Sequence, residues 1–149
     1  MIIVRPISAS DHEAWLDLYA AYADYYQVVQ TPDMRETVWR WLSDSDHEVC
    51  GFIAVNDAGD ALGLAHYRPF SRPLSASVGG FLDDLFVMPA ARGQEISKRL
   101  IAAIVSVAKE KNWSVVRWIT AEDNYRARSS YDKIATQTKW VTYDIKTPG

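Results

Sequence analysis

Two adjacent carboxylates, Asp83 and Asp84, precede the apolar run Leu85-Phe86-Val87, and a basic turn, Arg92-Gly93, follows. From Leu82 to Leu100 the chain reads as a buried strand, a tight Arg-Gly turn and an amphipathic helix. The first-turn amides of a helix have no partners within it, and its dipole adds partial positive charge there. A strand that feeds an Arg-Gly turn into a helix start can therefore hold a diphosphate. Neighbouring strand residues alternate faces, which predicts that one aspartate reaches a cleft while the other turns toward the helix side. Either carboxylate could take a proton from a nucleophile or cap nearby backbone donors. Asn124 and Tyr131 lie seven residues apart, about two helical turns, and so share a face. Asn124 reads as a helix cap, and Tyr131 as a half-buried packing residue or a hydroxyl donor.

The elements that must position these groups follow from periodicity. Ile2 to Ile7 predicts a strand. Ser10 and Glu13 form a capping-box pattern starting a helix to about Gln27, with Trp15, Leu18, Tyr19, Tyr22 and Tyr25 or Tyr26 along one face. Thr31-Pro32 caps a second helix to about Leu42. Glu48–Asn56 and Ala61–Pro69 predict strands joined by the hairpin turn Asp57-Ala58-Gly59-Asp60. A polar loop, Ser71 to Ser75, leads to a strand over Val78–Met88. A helix over Gly93–Lys111 then carries the apolar stripe Ile96, Leu100, Ile101, Ile104, Val105 and Ala108. A strand at Ser114–Thr120, a helix at Asn124–Thr136 and a strand at Lys139–Ile145 complete the chain. The order β-α-α-β-β-β-α-β-α-β predicts an α/β (α+β) fold, a mixed sheet with helices on both faces.

Composition narrows the function classes. The 149 residues predict one domain, 1–149, with a real core. At 48% hydrophobic and 23% charged, the chain is an ordinary globular protein. Its net charge is −3, with no dense basic cluster, which argues against a nucleic-acid partner. A lone cysteine, Cys50, in an apolar run reads as a small core residue in a reducing compartment. The opening MIIVRPIS turns polar too quickly for a signal peptide, and no apolar run approaches membrane-spanning length. A cytoplasmic location without membrane association is expected. No histidine or carboxylate spacing predicts a metal site, and the absence of G-x-G-x-x-G argues against a Rossmann enzyme.

Three motifs resemble the GNAT superfamily of acetyl-CoA-dependent N-acyltransferases over nearly the whole length. Leu82-Asp83-Asp84-Leu85-Phe86-Val87 is similar to its acidic-then-apolar fourth strand. Arg92-Gly93-Gln94-Glu95-Ile96-Ser97 is similar to its pyrophosphate loop. Trp118-Ile119-Thr120-Ala121-Glu122-Asp123-Asn124, with Ala127 and Tyr131, is similar to its third conserved segment. The resemblance implies the mostly antiparallel GNAT sheet and acetyl-CoA as cofactor, with direct transfer to a primary amine in a ternary complex. The acceptor is expected to be a small molecule such as a polyamine or amino acid. A protein or histone-tail lysine, or a non-catalytic acyl-CoA-binding module, are the alternatives.

The resemblance also implies roles. Asp83 matches an acidic residue that acts as general base through water, and Tyr131 one that hydrogen-bonds or protonates the leaving thiolate. Leu85, Phe86 and Val87 run beside the pantetheine through their backbone, with a strand N–H near Val87 at the acetyl oxygen. Asn124 and Ala127 hold the same arm. The loop from Arg92 to Ser97 takes the diphosphate. Glu95 stands where the family has glycine, and a carboxylate ~5 Å from the diphosphate would cost about 3 kcal/mol per charge at an effective dielectric near 20. Weakened CoA binding is expected unless it turns to solvent. Tyr22, Tyr26, His66, Tyr67 and Asp84 are expected to frame the amine, with His66 otherwise a core histidine. An amine of pKa ~10.4 is deprotonated at pH 7 only at about 4.6 kcal/mol, against about 1 kcal/mol for an α-amine. A basic side-chain amine therefore needs the proton acceptor more. Six tryptophans and eight tyrosines leave room for a homodimer interface.

Overall fold

A computed structural model describes residues Met1–Gly149, which form two compact units, Met1–Ile119 and Thr120–Gly149. The first unit runs β1 (Ile3–Pro6), α1 (His12–Tyr25), α2 (Pro32–Ser43), β2 (Cys50–Val55), β3 (Ala61–Arg72), β4 (Ser77–Val87), α3 (Ile96–Glu110) and β5 (Val116–Arg117). Its strands form one sheet in sequence order, antiparallel from β1 to β4, with β5 parallel to β4.

Helices cover both faces of this sheet. Trp15, Leu18 and Tyr19 of α1 pack with Leu64 and Phe86 on one face. On the other, α3 buries Ile96, Leu100, Ile101, Ile104 and Ala108, the stripe expected from its spacing apart from half-buried Val105. Gly63 lets α3 come close, since a Cβ there would lie 2.9 Å from Phe86 O and 3.2 Å from Ile96 Cγ2. Thr31 caps α2 by accepting the Met34 N–H at 3.2 Å, as its sequence predicts.

Several boundaries differ from expectation for physical reasons. The chain enters α1 through a 3-10 turn at Ala9–Asp11, not through a Ser10–Glu13 box. Asp11 accepts the Ser8 amide at 2.8 Å and is clamped by both Nη atoms of Arg5 at 2.7 and 2.8 Å, so a long-range ion pair outweighs the local box. Arg5 and burial pull in opposite directions, and the Arg5 hydrogen bonds win, holding the Asp11 carboxyl below its ordinary range. Cys50 is exposed, not core, because burial in β2 begins only at Phe52. Strand β3 continues through the expected loop to Arg72, where Pro73–Ser75 forms a 3-10 turn.

The hairpin of β3 and β4 contains the feature that matters most for the site. Pairing runs from Gly63 opposite Val87 to His66 opposite Asp84, then resumes with Tyr67 opposite Leu82. Asp83 is the surplus residue of a β-bulge, a device that bends and twists the strand carrying it. Beyond the bulge β4 has no second neighbour, because β5 pairs only at Gly80 and Phe81. That explains why β5 is far shorter than the predicted Ser114–Thr120.

In the second unit Asn124 caps α4 (Tyr125–Tyr131) by accepting the Ala127 N–H at 3.4 Å. The helix ends five residues short of the predicted Thr136. The strand expected at Lys139–Ile145 is not formed, and Trp140, Val141, Tyr143 and Ile145 are exposed. Strand-like alternation needs a second strand to receive its backbone hydrogen bonds, and none within the chain does.

Candidate active site

The bulge corrects the expectation that Asp83 and Asp84 face opposite ways. Asp84 Oδ2 lies 2.8 Å from His66 Nδ1, while Asp83 accepts from Arg68 Nε at 3.1 and 3.3 Å. His66 and Arg68 are two residues apart on β3 and share a face, so their partner carboxylates do as well. Both aspartates therefore belong to the face covered by α1. Burial raises the Asp83 carboxyl, Arg68 opposes it and the Asp84 charge raises it further. Burial also works to raise Asp84, yet the hydrogen bonds from His66 and Tyr19 hold it below the ordinary carboxylate range. Adjacent carboxyls are thus pushed apart, the pattern that separates a proton acceptor from a fixed anion.

Asp84 ends a buried chain of hydrogen bonds. Trp15 Nε1 donates to His66 Nε2 at 2.9 Å, and the Tyr19 hydroxyl donates to Asp84 Oδ2 at 2.8 Å. Trp15 is 0% and His66 1% exposed. Burial raises the Tyr19 hydroxyl well above its ordinary range, with Asp84 adding to it, so it stays a donor.

Where β4 ends, the chain reaches the α3 start through a loop with two left-handed residues, Gly93 (φ 87°) and Glu95 (φ 59°). The amides from Gln94 to Lys98 donate to nothing within the chain. A Cβ built on Gly93 meets nothing within 4 Å, so this concave backbone is open. Glu95 turns outward, its side chain 74% exposed and 4.0 Å from Lys98 Nζ, which screens the charge that the sequence placed at the diphosphate. Gln94 Nε2 reaches back to Ala91 O at 3.3 Å. Arg92 donates to the Tyr25 hydroxyl at 3.0 Å and lies over its ring at 4.7 Å. Ile96 is buried against the sheet, and Ser97 is half-buried beside it.

Other candidates divide by location. Tyr22 stacks on Phe86 with centroids 5.2 Å apart, and Tyr26 meets Tyr22 edge-on at 5.2 Å, both on the α1 face. Tyr67 alternates with His66 and stacks on Phe52 at 5.5 Å, with its hydroxyl pushed up by burial to about 12. It belongs to the opposite face and does not join the carboxylates. Leu85 and Val87 also project to that α3 face, leaving the β4 backbone as their contribution to the open edge. In the second unit, Asn124 Oδ1 is used in capping, its amide nitrogen remains available, and Tyr131 closes α4. A hollow of about 590 Å³ beside Arg72, Ala76 and Trp113 holds none of these groups. Trp15, Tyr19, Tyr25 and Arg68 lie in the segments Trp15–Tyr26 and His66–Arg72, which the sequence places at the substrate entrance, but were not singled out as partners of individual site residues. For Trp15 and Tyr19 the helical aromatic spacing was a usable signal, but it reads equally as core.

A mixed sheet with an open β4 edge running toward a helix start defines a CoA-dependent acyltransferase fold. The Acetyltransferase (GNAT) family profile matches residues 15–135, and the chain belongs to that family. A D-amino-acid N-acetyltransferase of Saccharomyces cerevisiae is 31% identical over 143 residues, covering 95% of this chain and 89% of the yeast protein. A ribosomal-protein-alanine N-acetyltransferase of Brucella melitensis has the same fold at TM-score 0.83 and 23% identity, with 99% of each chain covered. An aminoglycoside N-acetyltransferase solved with CoA superimposes at TM-score 0.85 and 21% identity, covering 98% of this chain and 95% of that one. The protein is an N-acetyltransferase that uses acetyl-CoA, which when bound supplies the acetyl thioester. The residues present fit it: unbonded amides at the α3 start suit a diphosphate, and the unpaired β4 edge suits an amide-bearing arm.

Proposed function

We propose that this chain transfers the acetyl group directly to a primary amine of a small molecule, such as an amino acid or polyamine, within a ternary complex. The observation that carries this reading is the bulge at Asp83, which places two carboxylates side by side where β4 loses its second neighbour. Asp83 takes the proton from the attacking amine, directly or through one water, and its raised carboxyl suits that task. Backbone groups of Leu85, Phe86 and Val87 flank the pantetheine, with a β4 N–H near Val87 facing the acetyl oxygen. The loop from Arg92 through Gly93, Gln94, Glu95 and Ile96 to Ser97 holds the diphosphate. Asn124 and Ala127 hold the arm by their match to the family motif, and Tyr131 donates a hydrogen bond to the departing thiolate. Tyr22 and Tyr26 form an aromatic wall for the amine, with His66 and Asp84 behind it. The D-amino-acid relative supports a small acceptor.

We take residues 1–149 as one catalytic domain, supported by a family match that spans both compact units. A homodimer and a cytoplasmic location complete the reading, the first supported by the exposed apolar tail, the second by the single free cysteine. No helix is long and apolar enough to cross a membrane.

The test is release of CoA from acetyl-CoA across D- and L-amino acids, polyamines, aminoglycosides and a lysine-bearing peptide. Chromatographic detection is needed because exposed Cys50 would react with a thiol reagent. Turnover of at least one small amine above the peptide is expected. Preference for the peptide overturns the acceptor class, and acetyl-CoA binding without release on any amine overturns transfer itself.

A further inference from the structure

The buried chain that ends on Asp84 has a fixed direction. An indole N–H can only donate, so His66 Nε2, 2.9 Å from Trp15 Nε1, is the acceptor. The His66 proton is then on Nδ1 and donates to Asp84 Oδ2 at 2.8 Å. Oδ2 receives a second hydrogen bond from the Tyr19 hydroxyl at 2.8 Å. Oδ1 takes no hydrogen bond within the chain and is not sealed from solvent, and the Asp84 side chain keeps 25% exposure. One oxygen is saturated and the other open, with no lysine or arginine bonded to it. The groups facing Asp84 are Trp15, Tyr19 and Tyr22 from α1, His66 and Arg68 from β3, and Asp83 beside it. Arg68 is occupied by Asp83.

We propose that Trp15 sets the tautomer of His66, and that this holds Asp84 as an anion whose free Oδ1 captures the ammonium form of the amine substrate. Trp15 and His66 are positioning residues in this scheme, and Asp84 selects cationic acceptors. It rests on the acceptor reading above and adds a device to it. A histidine protonated on both nitrogens would oppose the Trp15 N–H and present its own cation to Asp84, cancelling the charge meant for the substrate. The indole N–H points at Nε2, the atom a second imidazole proton would need. The captured ammonium lies beside Asp83, which then removes its proton.

Three measurements decide the matter. Histidine nitrogen NMR on the wild-type protein should show the His66 proton on Nδ1 and none on Nε2. A proton on Nε2 overturns the proposal. Asp84→Asn keeps the shape and both hydrogen bonds but removes the charge. It should raise KM for the best amine roughly tenfold or more, with acetyl-CoA affinity unchanged by calorimetry. An unchanged KM overturns the proposal. Trp15→Phe keeps a ring but frees His66 Nε2, so the same NMR should show the His66 proton shared between Nδ1 and Nε2, and KM for the amine should rise several-fold. A Trp15→Phe protein that keeps the proton on Nδ1 alone marks Trp15 as packing only and also overturns it. If the wild type turns over no amine, the acceptor reading fails, while the NMR tautomer still decides the buried relay.

Discussion

At the scale of single residues, Asp83 is held between opposing influences, and the proposed role as base makes that conflict testable. Its carboxyl is raised by burial and by Asp84 against the pull of Arg68. A base must be ionised, so kcat/KM should fall on the acid side at a pH above the ordinary carboxylate value of about 3.9. Asp83→Asn should lower kcat/KM at least tenfold for a polyamine and less for an α-amine, and should flatten that acid limb. The same substitution should raise the melting temperature at neutral pH. A carboxyl whose folded value is raised opposes folding once pH exceeds its unfolded value, and an amide carries no such penalty. Glu95 makes a second case. Its left-handed backbone costs an L-residue roughly 1–2 kcal/mol, which glycine avoids. Glu95→Gly should stabilise the protein by about 1 kcal/mol and leave acetyl-CoA affinity by calorimetry within about twofold, because the carboxylate already faces solvent beside Lys98; a several-fold tightening would show that its charge reaches the diphosphate. The acidic pair, the Arg-Gly turn and Asn124 were legible as residues. Their partners were not, because Arg68, Tyr19 and Trp15 reach the pair only through tertiary contacts.

Among the elements, α3 was the easiest to read, since its apolar stripe repeats over several turns. Its start was displaced to Ile96 because Gly93 and Glu95 take left-handed backbone before the helix begins. The β3–β4 hairpin was read as two strands but not as an interrupted ladder, for nothing in Leu82-Asp83-Asp84-Leu85 distinguishes a surplus residue from an alternating one. The partner strand decides that. The packing of α3 on this hairpin depends on Gly63, whose missing side chain lets Ile96 and Leu100 approach. Gly63→Ala should cost about 1–3 kcal/mol in denaturant unfolding, because the Phe86 carbonyl at 2.9 Å cannot yield as a flexible side chain would. No loss of stability would mean that α3 shifts freely over the sheet.

For the molecule as a whole, the order of strands and helices was visible in the sequence, except at the end. Lys139–Ile145 has strand-forming residues in an alternating pattern, yet the single chain offers it no ladder. Its exposed Trp140, Val141, Tyr143 and Ile145 are what a second copy would cover. Light scattering should give twice the chain mass for the wild type and a single chain for a Trp140→Asp, Tyr143→Asp double variant. A wild-type monomer at high concentration would sink the dimer.

The surplus aspartate has an evolutionary and practical consequence. Removing residue 83 altogether would bring Leu82 next to Asp84 and restore uninterrupted pairing with His66 and Tyr67. Every other side chain of the hairpin would keep its side. The scaffold can therefore lose the carboxylate proposed as its proton acceptor in a single codon loss and keep its strand pairing. Such a deletion would create a natural-looking inert homologue, able to hold both reactants without consuming them and suited to trapping the ternary assembly in a crystal.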